Sequence, residues 1–243
     1  PTMKDMMNKE LLGNKSLKGG FYRFKDPEDG ASKETLNFSD MTYRAYNYEK
    51  PEIAVEAEQK NDFTLLLKNN DKYAKYAWEI LSNTLCYAAS LVPDVNESLV
   101  AIDDAMKLGY NWIQGPFEMI DTIGVNDFIA RLEQDKREIP AIIKTAKDKS
   151  FYRTNGNKLE YLAASGDYIN LNREQGIRRF TEERRVRQPI LSNDVASYYE
   201  VDNDIGMVEF HSKANALGSE SMHLLGDAIA HAEENFTGLI IHN

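Results

Sequence analysis

Apolar residues recur at helical spacing over much of the first 150 positions. Met3, Met6, Met7, Leu11 and Leu12 share one face, which predicts a helix stopping at Gly13. The strongest stripe runs from Lys72 to Leu91, through Tyr73, Tyr76, Ala77, Ile80, Leu81, Thr84, Leu85 and Ala88, with Pro93 ending it. Further helices are predicted at Ser98–Leu108, Pro116–Ile123 and Val125–Gln134, and a shorter one at Pro140–Lys147. Between the first two of these, Ile102, Ala105, Met106 and Leu108 lead to Gly109 as a helix stop. Gly115-Pro116 opens the next helix, where proline's missing N–H costs nothing. A helix bundle is the natural architecture. Residues 25–61 are charged and broken by Pro27, Gly30 and Pro51, so they are expected to form a linker. Tyr43, Tyr46 and Tyr48 would lay that linker against something.

After Phe151 the period changes. Leu159 and Tyr161 on one side of Gly166-Asp167, and Tyr168, Ile169 and Leu171 on the other, predict a short hairpin. The last fifty residues read as the start of an α/β unit. Strands are expected at Tyr198–Val201 and Ile205–Phe210, around an Asn203-Asp204 turn. A helix capped by Ser219 then carries the stripe Met222, Leu225, Ile229, Ala232 and Phe236, and Leu239-Ile240-Ile241 follows as a buried strand. A strand of this kind needs further strands to bury it. With Pro1 opening inside a helical pattern, the chain is expected to be a piece of a longer protein. A loose echo links Lys15–Arg23 with Lys144–Arg153; it is either a repeat of two related units or chance.

A formal charge of −10 argues against general nucleic-acid binding. One cysteine, Cys86, cannot form an internal disulfide, which favours a reducing, cytoplasmic setting. No apolar run reaches the ~20 residues of a membrane span.

Candidate chemistry is sparse. The chain has no G-x-G-x-x-G and no Walker-type loop, so no dinucleotide cradle is written in it. Its four histidines, His211, His223, His231 and His242, lack metal-ligand spacing. Asp103 and Asp104, adjacent on a helix, point about 100° apart and do not converge on one site. One of them is expected to cap or pair structurally. Cys86, among apolar residues, is expected to be an inert core thiol. The arginines of Arg178–Arg185 alternate with Glu182 and Glu183, reading as a solvated face or linker, with phosphate binding as the alternative. Asn83 lies in an apolar helix, where a buried amide needs a partner on a neighbouring helix.

The string from Asp103 through Gly115-Pro116-Phe117 to Asp121 resembles a segment of the helical C-terminal domain of 3-hydroxyacyl-CoA dehydrogenases. Gly13–Tyr22 resembles the end of a first such domain, although Leu17-Lys18-Gly19 departs from the pattern at one glycine. Val208–Leu217, with Lys213-Ala214-Asn215-Ala216-Leu217, resembles the first strand and K-x-N-A-L loop of the crotonase (enoyl-CoA hydratase) superfamily. Their order is similar to that of bacterial multidomain β-oxidation proteins. The fold class this resemblance implies is mainly α: a dehydrogenase-type helical bundle with a small β hairpin and a truncated α/β, crotonase-like ending. The implied division is a first-domain tail (1–24), a linker (25–61), a second helical domain (62–153), a hairpin and linker (154–193) and a crotonase-like opening (194–243).

The resemblance further implies oxidation of 3-hydroxyacyl-CoA to 3-ketoacyl-CoA. NAD and the catalytic His–Glu pair would belong to a domain outside this chain, and the oxyanion amides would lie beyond Asn243. The 243-residue chain alone is then expected to form no NADH. Asn83 occupies the place of an asparagine that holds the substrate carbonyl, and Lys213, Ala214 and Ala216 the place of coenzyme A contacts. For the latter, a plain strand-to-helix loop turned by Asn215 is the alternative. The partners implied are acyl-CoA, the remaining domains and a homodimer surface. A non-catalytic helical interaction module is the reading from a different class.

Overall fold

The computed structural model describes residues 2–13, 18–25, 32–68, 70–202, 204–212 and 216–242. It comprises two units, residues 1–76 and 77–243. In the first, helix α1 (Thr2–Asn8) precedes an antiparallel sheet of β1 (Tyr22–Phe24), β2 (Lys33–Asn37) and β3 (Thr42–Ala45). Helices α2 (Glu52–Gln59) and α3 (Leu65–Lys68) follow. The expected linker therefore holds two strands of a sheet and a helix. Its strands are short and polar, with Leu36 the one buried residue of β2, so alternation gave them no signal. Helix α1 also stops short of Gly13, with Met6 buried while Met3, Met7 and Leu12 are exposed.

Helix α4 (Lys72–Ser90) crosses from the first unit into the second. The second unit continues with α5 (Leu99–Tyr110), α6 (Pro116–Ile123), α7 (Val125–Gln134) and α8 (Ala141–Thr145). The expected helices all form here. The buried face of α4 carries Ala74, Trp78, Ser82, Leu85, Ala88 and Ala89, whereas Tyr73, Tyr76 and Ile80 from the expected stripe are exposed. Trp78 sets this rotation. Its ring meets Phe128 of α7 edge to face at 5.4 Å, its Nε1 donates to Asp135 at 2.6 Å, and Arg131 lies over it at 4.1 Å. Helix α5 runs through Gly109 and ends at Asn111, whose left-handed backbone (φ 55°) does the work expected of the glycine.

A second antiparallel sheet follows: β4 (Tyr152–Asn155), β5 (Lys158–Leu162) and β6 (Tyr168–Asn170). The predicted hairpin is β5–β6, and β4 is an added strand. The sheet repeats the strand order and register of the first, with the same Arg–Glu–Tyr arrangement. Arg23 Nε donates to Glu34 and Arg153 Nε to Glu160, each at 2.6 Å. The same guanidinium lies 4.0 Å from the Tyr43 ring in one sheet and 3.6 Å from the Tyr168 ring in the other. Tyr43 Oη donates to Gly20 O at 2.6 Å, and Tyr168 Oη to Ser150 O at 2.7 Å. Leu36 N bonds Phe21 O, and Leu162 N bonds Phe151 O. The described part of the echo in the sequence is a structural repeat; its residues 15–17 lie outside the described residues.

After the short helix α9 (Phe180–Glu183) comes a four-stranded sheet ordered β10-β9-β8-β7. It consists of β7 (Leu191–Ser192), β8 (Ala196–Asp202), β9 (Ile205–Phe210) and β10 (Gly238–His242), with α10 (Ser219–Asn235) crossing from β9 to β10, its parallel neighbour. Ala196, Tyr198, Val208 and Phe210 pack against Leu224, Ala228 and Ala232 of α10. The expected α10 stripe is rotated, leaving Met222 and Ile229 exposed. Its cap is also different: Ser221 Oγ accepts from Gly218 N at 2.9 Å, and Ser219 begins the helix. Strand β10 lies at the sheet edge with Ile240 and Ile241 exposed, so it is not the buried strand its composition predicts. Asn203, of the expected turn, is outside the described residues.

Candidate functional site

The densest polar construction centres on Asp103, which is fully buried in α5. Its Oδ1 accepts from Phe117 N at 2.8 Å, and its Oδ2 from Glu118 N at 3.3 Å and Tyr152 Oη at 2.9 Å. Helix α6 is thus capped by a carboxylate from another helix, because Gly115 at its N-cap has no side chain to do so. The glycine is required by contact: a Cβ there would lie 2.3 Å from Asp103 Cβ. Glu118 completes the turn by accepting from Gly115 N at 2.9 Å. Burial pushes the Asp103 carboxyl up to about 7, against the lowering effect of the Phe117 N–H and the Tyr152 hydroxyl.

Asp121, in the second turn of α6, accepts from Phe151 N at 2.7 Å and Tyr152 N at 2.8 Å. Burial raises it to about 6. The Phe117 and Phe151 rings meet edge to face at 4.9 Å. The Asp103–Asp121 string is therefore a clamp joining α5, α6 and β4. Its carboxylates are spent on backbone and tyrosine donors, which makes them structural groups.

Asp104 turns to another partner, as adjacent positions on a helix require. It receives Arg173 through two nitrogens, at 2.6 and 3.2 Å, and Arg179 at 2.5 Å. These guanidinium groups hold its carboxyl below the usual range despite its burial. Glu182 binds Arg173 from the other side. Arg178 pairs with Glu183 and Asp202, Arg184 with Glu209, and Arg185 with Glu118. Arg173, Arg179 and Arg185 thus tie the connection 171–187 to α5 and α6, Arg178 and Arg184 tie it to β8 and β9, and carboxylates occupy the places a phosphate would need. Replacing Arg173 with alanine should cost about 1–2 kcal/mol, since Glu182 loses its close partner while Asp104 keeps Arg179. Arg173→Lys should restore less than half, lacking the planar fork. Urea midpoints of the three proteins measure this.

Asn83 is exposed, in contrast to the buried position expected of it. The rotation of α4 that buries Trp78 and Ser82 turns the next residue outward. Its Nδ2 donates to Glu79 at 2.9 Å, and its Oδ1 accepts from Arg137. Arg137 also donates to Ser82 Oγ, itself bonded to Trp78 O at 2.6 Å. Burial raises the half-buried Cys86 thiol, which keeps it protonated and a poor nucleophile. Lys213 and Ala214 lie outside the described residues, as does Asn215. Ala216 is described, and its carbonyl accepts from Ser212 Oγ at 2.8 Å. Nothing brings Asn83 together with Ala216 into one site.

The described residues hold no group of three or more His, Cys, Asp or Glu side chains that could bind a metal. None of their helices is long and apolar enough to cross a membrane. His231 Nδ1 lies 3.3 Å from Tyr198 Oη, and His211 Nε2 lies 3.0 Å from Ser197 Oγ. The sequence between β9 and α10 carries no glycine fingerprint, and Ser221 Oγ accepts from the N–H of the N-cap residue Gly218. Arg137, Arg173, Tyr152 and the role of Gly115 had no sequence signal, because each depends on a partner 12 to 69 residues away.

Among the described residues, helices and three small sheets make a mixed α/β fold. The chain is similar to parts of longer proteins named for fatty acid oxidation. The chain is 31% identical over 249 residues to a probable 3-hydroxyacyl-CoA dehydrogenase of Bacillus subtilis (strain 168), covering 99% of this chain and 31% of that protein. It is 30% identical over 239 residues to a putative fatty acid oxidation complex trifunctional enzyme of Rickettsia prowazekii (strain Madrid E), covering 98% of this chain and 29% of that one. A protein of the same description from Rickettsia felis (strain ATCC VR-1525 / URRWXCal2) is 29% identical over 245 residues, covering 100% of this chain and 30% of that one. The chain thus spans about a third of the length of the curated relatives it matches. No protein-family model matches it. No solved structure matches it either.

Proposed function

We propose that this chain supplies the helical scaffold, and the opening of an enoyl-CoA hydratase-like module, to an enzyme that oxidises 3-hydroxyacyl-CoA in fatty acid β-oxidation. The observation that carries the reading is the length of the match. Relatives bearing those names align with essentially the whole chain, from the helices through the β8–β9–α10–β10 unit. In this reading the clamp of Asp103, Gly115 and Asp121 fixes the bundle, and the residues before Phe24 end an earlier helical domain. NAD, held by a domain outside these residues, would supply the hydride chemistry. Asn83, oriented by Glu79 and Arg137, is the candidate for holding a substrate carbonyl. Lys213, Ala214 and Ala216, in the loop between β9 and α10, are the candidates for meeting coenzyme A, with the lysine as the cation for its phosphates.

Calorimetry with acetoacetyl-CoA tests this on the 243-residue chain. The expected result is micromolar binding, weakened at least about tenfold by Lys213→Glu, with no NADH formed from 3-hydroxybutyryl-CoA. Absence of binding would leave the second reading, a non-catalytic interaction module. That reading is favoured by the exposed Tyr76, Ile80 and Tyr87 along α4. NADH formation by the chain alone would contradict the assignment of the nucleotide site to another domain.

A further inference from the structure

We propose that the hollow between strands β5–β6 and the connection 171–187 binds an adenine mononucleotide. The hollow measures about 340 Å³, at the lower end of the ~300–1,000 Å³ that small-molecule sites span. It suits one nucleotide and is short for two. Its apolar surface comes from Leu159, Leu171, Val186 and the half-exposed Ile177.

Three amides open on this hollow, those of Asn157, Asn170 and Asn172, and none of them bonds another group among the described residues. Asn155, in the same hairpin but outside the hollow, shows the contrast: its Nδ2 donates to Glu160 at 3.0 Å. Lys158 also lines the hollow and enters no ion pair among the described residues. The arginines beside it are differently placed. Arg173 commits all three of its nitrogens to Asp104 and Glu182, and Arg178 commits its three to Glu183, Asp202 and the Val201 carbonyl.

That division of partners selects the ligand. The N–H edges of Arg173 and Arg178 are closed, while a planar guanidinium still offers its face to a stacked base. A carboxamide accepts from adenine N6 and donates to N7 at once, whereas guanine O6 and N7 call for a guanidinium or an ammonium. Free amides beside committed arginines therefore favour adenine over guanine. The one unpaired ammonium, that of Lys158, answers a monophosphate and leaves a triphosphate largely unneutralised.

The same adenosine phosphate is one end of coenzyme A and of nicotinamide dinucleotides, so free and tethered nucleotides share this chemistry. Asn170 and Asn172 further bound a second hollow towards Ser98 and Ala101, which Asn157 and Lys158 do not line. The inference does not use the dehydrogenase assignment. Neither Asn83 nor Ala216 lines the hollow, so either proposal can fail alone.

Calorimetry of the 243-residue chain with AMP, GMP, adenosine, coenzyme A and NAD tests it. AMP should bind with a Kd of about 100 µM or below, and GMP at least about tenfold more weakly. Asn172→Ala should weaken AMP about tenfold and Lys158→Glu about fivefold, with adenosine indifferent to the lysine change. Both positions are exposed, so the urea midpoints of the two variants should match the parent. Coenzyme A or NAD binding more tightly than AMP, and weakened alike by Lys158→Glu, supports the site with the tethered nucleotide as its source. Equal binding of AMP and GMP, or no AMP binding at about 5 mM, overturns the proposal. So does AMP binding weakened by Asn172→Ala and untouched by Lys158→Glu, which puts the nucleotide in the second hollow.

Discussion

Gly115→Ala is expected to destabilise the second unit by about 3 kcal/mol or more, a large part of the 5–15 kcal/mol that holds a typical domain together. The backbone is not the reason: φ −74° and ψ 167° at this position suit alanine. The reason is contact. The added methyl would fall 2.3 Å from both Cβ and Cγ of Asp103, which is pinned by three donors and has no exposed direction in which to retreat. Relief would push α6 away from α5, lengthening the bonds to Phe117 N and Glu118 N and pulling Asp121 off β4. Gly109→Ala is the matched control. A Cβ there meets nothing within 4 Å, and the residue lies inside α5, so this change should stabilise by about 0.5–1 kcal/mol. Urea denaturation of the two variants should move the midpoint in opposite directions. A neutral Gly115→Ala would mean the α5–α6 contact is looser than described.

The same string shows where sequence was sufficient and where it was not. The bounds of α6 and α7 were legible because Gly115-Pro116 and Gly124 punctuate them, and caps are local chemistry. That one of Asp103 and Asp104 caps or pairs structurally was legible too; which helix Asp103 caps was not, since its partners are 14 and 49 residues away and none is an acid or base that pairs by type. Asn83 was misplaced for a related reason. The stripe on α4 includes tyrosines that score as apolar, while the face that is buried is built from Ala74, Ser82, Ala88 and Ala89 around Trp78. Small residues permit close packing without announcing it. The first sheet was missed because its strands are three to five residues long and mostly polar. It became recognisable only as the twin of β4–β6, through an Arg–Glu–Tyr arrangement whose members are 11 and 20 residues apart in one copy, 7 and 15 in the other.

Stability should rise as pH falls from 7 to 5, the reverse of ordinary acid denaturation. Asp103 and Asp121 have folded carboxyls raised to about 7 and about 6, above the ordinary 3.8. In this range the folded state holds protons that the unfolded state has released, so the unfolding free energy decreases with increasing pH. The contribution is complete below about pH 4 and is lost as pH rises through the folded values. For Asp103 alone the shift corresponds to about 4 kcal/mol over that span. The carboxyls that ion pairs hold low, Asp104 and Glu183 among them, act in the opposite sense. Their loss begins only when pH falls toward the unfolded carboxylate range near 4, so between pH 5 and 7 they leave the slope of the buried pair unopposed. Asp103→Asn removes one of the two titrations, and its amide oxygen can still accept from Phe117 N. Urea unfolding at half-unit steps should give a negative slope for the parent chain and roughly half that slope for Asp103→Asn. A parent slope that is flat or positive over this interval would place Asp103 ionised at both ends of it. The three donors around its carboxylate would then outweigh the cost of its burial.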